Sequence, residues 1–336
     1  MKFAFVGTPA FAAAVLAELV ALGRRPALVI SQPDRPRGRG RSVGSPPALL
    51  EAQRLGLVSL QAEDINDPAV LVRLRTTGVA TLVVAAFGQI LERRLLESFL
   101  CVNVHASLLP AYRGAAPIER ALAAGETCTG VSIMRMTEGL DEGPWALQTS
   151  VSVGLRDDSG SLGRVLAALG AIGTDQVLTG LMEGTVRWNP QAGTATYAAK
   201  LSDEDRLFDP DKGAAAVHDQ VRALSPSIGA RSGSGHVEFK VWRTWPYGQL
   251  GLDQPPDEGA PASGHPGMLR ASGDRLFVGC TQGVVELLVV QPVGRERMPA
   301  SDFIRGYGTR LGETVEPPGD RRDGRRRAAQ LQPPEP

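Results

Sequence analysis

Residues 101–145, CVNVHASLLPAYRGAAPIERALAAGETCTGVSIMRMTEGLDEGPW, gather more chemically capable side chains than any other stretch of the chain. Val102-Asn103-Val104-His105 alternates apolar and polar residues as a short strand does, so Asn103 and His105 share one face. Asp141 stands in Glu138-Gly139-Leu140-Asp141-Glu142-Gly143-Pro144, whose glycines and proline mark a loop able to bring it back to His105. Read one by one, each has a plainer role: a structural histidine after a buried strand, a turn-capping asparagine, a turn aspartate between glycines. Read together, an amide, an imidazole and a carboxylate on one site are the ingredients of acyl transfer. The amide can donate to a carbonyl oxygen that is becoming an oxyanion. The imidazole can donate to the same oxygen when protonated, or shuttle a proton when neutral.

The elements that must position these groups read as an α/β domain. Phe3–Val6 is a short apolar strand ending at Gly7-Thr8-Pro9, and a helix follows with Phe11, Val15, Leu19 and Leu22 at helical spacing. Ala27–Ser31 completes a strand–helix–strand crossover, which is right-handed almost by default. The glycines do not form G-x-G-x-x-G, so no dinucleotide is inferred. Helices are expected over Pro47–Leu55 and Asp67–Thr77, with a short strand at Leu57–Gln61 between them. Val79–Ala86 is a continuous apolar run, as in a central parallel strand covered on both faces. Its exit, Phe87-Gly88-Gln89-Ile90, lies at a carboxyl end, where open α/β sheets take their ligands. Gly130–Met136 is a further strand, and Pro117 opens a short helix over Ile118–Ala124 that Gly125 stops. Gly160–Glu183 is a long helix despite a glycine load that should weaken it.

Two stretches break this pattern. In residues 32–47, QPDRPRGRGRSVGSPP, four arginines alternate with proline and glycine and only Val43 is apolar, so a mobile basic loop is expected. Four guanidiniums there suit phosphate contacts. Val186–Lys200 is irregular and begins a connection, and Asp211–Leu224 reads as an amphipathic helix. Then Val237–Trp242, Gly267–Ala271, Leu276–Cys280 and Val284–Gln291 are short strands with small turns, the pattern of a small β-barrel. Residues 313–336 are rich in proline, glycine and arginine and read as a disordered tail.

Composition sets outer bounds. With 336 residues and 43% hydrophobic content, two domains are expected. Thirty-six basic and 36 acidic residues cancel, so a nucleic-acid partner would need a local patch. The cysteines at 101, 128 and 280 and the four histidines lack metal-ligand spacing, so no metal is expected. The first residues form a strand and not a signal peptide, and no uninterrupted apolar run is long enough to span a bilayer. A cytoplasmic monomer without a membrane partner is the expectation.

NVHASLLP, YRGAAPIERA, TGVSIMRM and EGLDEGP, in this order and spacing, resemble the formyltransferases that use 10-formyltetrahydrofolate. The resemblance spans roughly residues 1–312, discontinuously, and implies a Rossmann-like parallel-sheet domain over 1–186 carrying the basic loop 32–47. A linker over 187–210, an OB-like β-barrel domain over 211–312 and the tail 313–336 would follow. It also implies catalytic roles for Asn103, His105 and Asp141. Folate binding would fall to main-chain groups around Ala86, Phe87, Gly88, Gln89 and Ile90, and to Ser107, Leu108, Leu109, Pro110 and Gly139. Pro33-Asp34-Arg35-Pro36 and Gly38-Arg39-Gly40 resemble a loop of the family branch that acts on charged initiator methionyl-tRNA. That implies tRNA contacts for Arg35, Arg37, Arg39 and Arg41, and for Lys200 at the end of a segment resembling the family's YAPKI linker. Ala199 replaces the usual proline there, and Glu142 stands where the family usually has threonine.

For such a transfer a free α-amine, which titrates at about 7.7–8.0 and lower next to an ester, needs no strong base. Positioning and oxyanion stabilisation should therefore outweigh nucleophile activation, with Asp141 taking the amine proton directly or through water. Three other readings stay open at this point: a 10-formyltetrahydrofolate hydrolase, a sugar-nucleotide amine formyltransferase, and a non-catalytic RNA-binding protein on the same scaffold. The arginine loop and the barrel oppose the sugar-nucleotide reading, and the retained triad opposes the last.

Overall fold

The computed structural model describes residues 1–37, 42–248, 253 and 263–317. The chain divides into two units, the first made of Met1–Ala121, Glu126–Leu155 and Ser161–Lys200. Its elements in order are β1 (Phe3–Gly7), α1 (Ala10–Ala21), β2 (Leu28–Ser31), β3 (Arg35–Arg37), β4 (Ser42–Gly44), α2 (Pro47–Arg54), β5 (Ser59–Gln61), α3 (Pro68–Thr76) and β6 (Thr81–Ala85). After these come α4 (Arg93–Ser98), β7 (Leu100–His105), β8 (Arg113–Gly114), α5 (Pro117–Ala123), β9 (Cys128–Arg135), β10 (Trp145–Ser152), α6 (Ser159–Glu183) and β11 (Tyr197–Ala198).

Seven strands form one sheet in the order β10-β9-β7-β6-β1-β2-β5. The five from β7 to β5 are parallel, while β9 runs antiparallel to β7 and β10 to β9. Every residue of β1, β2 and β6 is buried, which explains their largely apolar composition, with Ser31 and Thr81 the polar residues among them. Along β1 the side chains alternate: Phe3 and Phe5 enter one core layer, with α1 and α6, and Ala4 and Val6 enter the other, with α3 and α4. The strand order reverses at β1, with β2 and β5 to one side and β6 and β7 to the other. The carboxyl ends of β1, β6 and β7 therefore border the crevice that such sheets offer a ligand. Gly7 ends β1 there, because a Cβ would lie 2.6 Å from Ala12 Cβ and 2.8 Å from the Ala85 carbonyl oxygen.

The glycines of α6 have a packing reason. A Cβ at Gly170 would come within 2.6 Å of Val104 Cγ1, and one at Gly173 within 3.0 Å of Ile133 and Leu147. The helix loses propensity and in return lies close against the sheet behind the His105 strand. By length and apolar composition α6 could cross a membrane, and half of its most apolar window is buried inside the protein.

Several elements depart from expectation. Residues 32–47 hold an antiparallel pair, Arg35↔Gly44 and Arg37↔Ser42, before Pro47 opens α2. Backbone pairing needs no apolar side chain, so the segment's composition hid it. β10 is a partly exposed edge strand with polar residues on much of its length, and it gave no alternating signal. Residues 187–200, the first part of the expected linker over 187–210, belong to the first unit, and β11 within them pairs in parallel with β8.

The second unit comprises Leu122–Gly125, Arg156–Gly160 and the chain from Leu201 on. It holds α7 (Ala214–Leu224), β12 (Ala230–Ser234), β13 (Val237–Tyr247), β14 (Leu269–Ser272), β15 (Arg275–Gly279), β16 (Val284–Pro292), β17 (Met298–Pro299) and α8 (Ala300–Tyr307). The strands form an antiparallel sheet in the order β12-β13-β16-β15-β14, with β17 on β16. Residues 313–316 join its two edges. Leu269 N donates to Glu313 O and Val315 N to Gly267 O, each at 2.7 Å. On the other side, Gly233 and Glu316 exchange bonds of 2.7 and 2.8 Å. Residues 313–316, where the composition pointed to the start of a disordered tail, thus spend backbone groups on the sheet. Residues 318–336 lie outside the described residues.

Candidate active site

β7 delivers Asn103 and His105 to the carboxyl end of the sheet, opposite Met134 and Ser132 of β9. Both are buried, at 9% and 5% exposure. The turn that leaves β7 is fastened to the same strand pair. Ser132 Oγ donates to Ser107 O at 2.6 Å and accepts from Leu109 N at 3.1 Å. Gln148 Nε2 adds a bond of 2.8 Å to Leu109 O. The Ser107 hydroxyl is itself fully buried and donates to Ala111 O at 2.5 Å. That bond shapes the turn.

His105 Nε2 lies 2.9 Å from the Tyr112 carbonyl oxygen. A carbonyl only accepts, so the neutral ring carries its proton on Nε2 and leaves the Nδ1 lone pair on the other side. Nδ1 faces Asp141 Oδ2 at 3.6 Å. The other contacts of that carboxylate are Asn103 Nδ2, which donates to Oδ1 at 3.3 Å, and Gly114 N, which donates to Oδ2 at 2.8 Å. The structure thus brings together the three side chains that the sequence pointed to.

Among the described residues, the non-glycine residues with positive φ are Ala86 at 45°, Tyr112 at 57° and Asp141 at 52°. Asp141 is one of the three site residues, Tyr112 contacts His105 through its carbonyl, and Ala86 is the first residue past β6. Such conformations cost on the order of 1–3 kcal/mol each and concentrate at functional sites. Gly114, at φ 116°, lets β8 approach β11, since a Cβ there would lie 2.9 Å from Ala198 O.

The β6 exit is tied to the first strand–helix turn. Phe87 O accepts from Gln32 Nε2 at 2.6 Å and from Thr8 Oγ1 at 3.3 Å. Phe87 packs into the core, while Ala86, Gly88 and Ile90 are exposed, Ile90 by 80%. The Gln89 amide is turned away to the neighbouring loop, accepting from Ile65 N and donating to Glu63 O, each at 2.9 Å. Leu109 is buried and Leu108 and Pro110 half-buried; Leu108 lies against Gly130. Gly139 sits under the Glu142 side chain, so a Cβ there would meet Glu142 Oε2 at 2.4 Å.

Of the basic residues, Arg35 is exposed on β3, Arg37 pairs through its backbone, and Arg39 and Arg41 lie outside the described residues. Lys200 is exposed, and its carbonyl accepts from Arg120 Nη2 at 3.3 Å. Neither Arg35 nor Lys200 enters the network around Asp141.

Two residues of that network were not singled out in the sequence. Arg113 and Gln191 bond to each other and to the Asp141 loop. Arg113 stands in the YRGAAP motif and could have been noticed; Gln191, in an irregular stretch, carries no signal.

Residues 1–178 match the formyl transferase family, and residues 200–308 match the formyl transferase C-terminal domain. The chain belongs to the formyltransferase family. It is 46% identical over 312 residues to the methionyl-tRNA formyltransferase of Rubrobacter xylanophilus, covering 91% of this chain and 97% of that one. To the methionyl-tRNA formyltransferase of Aromatoleum aromaticum it is 39% identical over 320 residues, or 94% and 97% of the two chains. Among solved structures, HypX from Aquifex aeolicus in complex with tetrahydrofolic acid shares the fold. Its TM-score is 0.60 at 14% identity, over 93% of this chain and 48% of that one.

Proposed function

We propose that this enzyme moves the formyl group of 10-formyltetrahydrofolate to the α-amine of methionyl initiator tRNA, the step that prepares it for translation initiation. The observation that carries the reading is the meeting of Asn103, His105 and Asp141 at the carboxyl end of β7 in a chain with near full-length kinship to methionyl-tRNA formyltransferases. The neutral amine attacks the formyl carbon, a C–N bond forms, and the carbonyl oxygen takes the negative charge. Asn103 has two N–H groups and commits one to Asp141, so the other donates to this oxyanion. The attacking amine gives up a proton to the Asp141–His105 pair, where His105 Nδ1 accepts it and the Asp141 carboxylate balances the imidazolium. The bond to the folate N10 then breaks as that nitrogen receives a proton, so the overall transfer is proton-neutral.

The folate is bound at the β6 exit by main-chain groups of Ala86–Ile90, together with Ser107, Leu108, Leu109, Pro110 and Gly139. Residues 1–186 form the catalytic domain and residues 211–312 bind tRNA, together with Arg35, Arg37, Arg39, Arg41 and Lys200. The enzyme acts as a monomer in the cytoplasm. Incubation with 10-formyltetrahydrofolate and charged or uncharged initiator tRNA tests the reading. Formylmethionine on the charged tRNA alone is expected; release of formate without it would make the enzyme a hydrolase.

A further inference from the structure

Gln191 lies outside every motif of the site, yet its carboxamide is fully committed to the loop that carries Asp141. Nε2 donates to Asp141 O at 2.7 Å and to Gly143 O at 2.8 Å. Oε1 accepts from Arg113 Nη2 at 2.7 Å and from Arg113 Nε at 3.1 Å. A carboxamide has two donor hydrogens and two acceptor lone pairs, and all four are used. The Arg113 side chain is only 12% exposed and reaches Glu142 Oε1 with Nη1 at 3.2 Å. Gln191 therefore grips the loop from its main-chain side and holds the arginine that grips it from the Glu142 side.

The strand that carries Arg113 is part of the same assembly. Gly114 N is the donor to Asp141 Oδ2, and the backbone of Tyr112 supplies the carbonyl that fixes the His105 tautomer. Residues 196–198 hold this strand: Tyr112 N donates to Thr196 Oγ1 at 2.8 Å, Arg113 N to Thr196 O at 2.9 Å, and β11 pairs with β8. Asp141 and Tyr112 are both at positive φ, which persists only where surrounding contacts over-determine it.

We infer that Gln191 is a positioning residue for formyl transfer, holding Asp141 in the left-handed conformation that aims its carboxylate at His105 and Asn103. The segment after α6 is thereby part of the active site and not a passive connection. This inference rests on the proposed reaction for its kinetic readout. Glutamate at 191 keeps the acceptors for Arg113 and removes the donors, placing a carboxylate against two carbonyl oxygens. Alanine removes both.

The test compares the full-length protein with Gln191→Glu and Gln191→Ala in two measurements: steady-state formylation of charged initiator tRNA, and hydrogen exchange at the Gly114 amide. The expected result is a fall in kcat of on the order of tenfold to a hundredfold, with KM for either substrate within about threefold. Exchange at Gly114 should be faster in both variants, and Gln191→Glu should be the more impaired although its ion pair with Arg113 is stronger. An unchanged kcat, a loss carried by KM, or unaltered Gly114 exchange would overturn the inference. If either variant fails to fold, Gln191→Asn, which keeps the carboxamide but draws its donors back by one methylene from the Asp141 and Gly143 carbonyl oxygens, takes its place under the same criteria. If the unaltered protein formylates no tRNA, the functional reading fails, and the Gly114 exchange still decides whether Gln191 holds the loop.

Discussion

Asn103 and His105 stand on β7, paired on both sides within the sheet and backed by α6 at glycine distance. Asp141 and Tyr112 stand on loops, at positive φ; Asp141 accepts hydrogen bonds from Gly114 and Gln191, and Tyr112 N donates to Thr196. The strand-held half needs no special backbone because period-two geometry already points both side chains to one face. The loop-held half is assembled against local preference by partners distant in sequence. One half of the site is built by secondary structure and the other by tertiary contacts, so the two should fail in different ways.

Removing a strand-held group should delete chemistry and leave the architecture. Asn103→Ala is expected to lower kcat by on the order of a hundredfold to a thousandfold, the usual loss of an oxyanion donor. Its thermal midpoint should stay close to that of the unaltered protein. A comparable loss of stability would mean that Asn103 holds the loop more than it serves the reaction. Asp141→Asn should cost less, about tenfold to a hundredfold in kcat, because the amide oxygen can still accept from Gly114 N while the charge beside His105 is gone. Full activity across pH in this variant would remove Asp141 from the proton path and leave it a purely structural residue.

The smallest expected effect falls behind the strand. Gly170→Ala puts a methyl group 2.6 Å from Val104 and should destabilise the fold by about 1–3 kcal/mol, less what alanine returns in helix propensity. Cys101 on β7 reports on this. Burial pushes its thiol up to about 12, so it is protonated and inert at neutral pH. It should resist alkylation in the unaltered protein, as buried Cys280 should, while exposed Cys128 reacts. Faster labelling of Cys101 in Gly170→Ala, measured by mass spectrometry, would show that the close helix contact locks the strand; equal labelling would show that β7 is held by the sheet alone.

This division also decided what could be read in the sequence. β1 and β6 were legible because strands buried on both faces carry largely apolar runs, and Asn103 and His105 were legible because alternation marks a strand face. β10 was not, since an edge strand with partly exposed, polar residues has no such pattern. The basic segment concealed an antiparallel strand pair held by backbone groups, and the glycines of α6 read as weakness because the valine and isoleucine they accommodate are distant in sequence. Asp141 could be picked out because glycines and a proline flag its loop and because that loop resembles a family motif. Gln191 could not, because it bonds main-chain carbonyls and a guanidinium far away in the chain, and no local pattern encodes such partners.

The most direct test of the account is single-turnover formyl transfer to charged initiator tRNA by His105→Ala beside the unaltered enzyme, with folate affinity measured in parallel. Formylmethionyl-tRNA is expected from the unaltered enzyme, with a rate lower by on the order of a hundredfold or more in the variant at nearly equal folate affinity. Transfer by His105→Ala at the unaltered rate would contradict it, and would move the chemistry away from the β7 face.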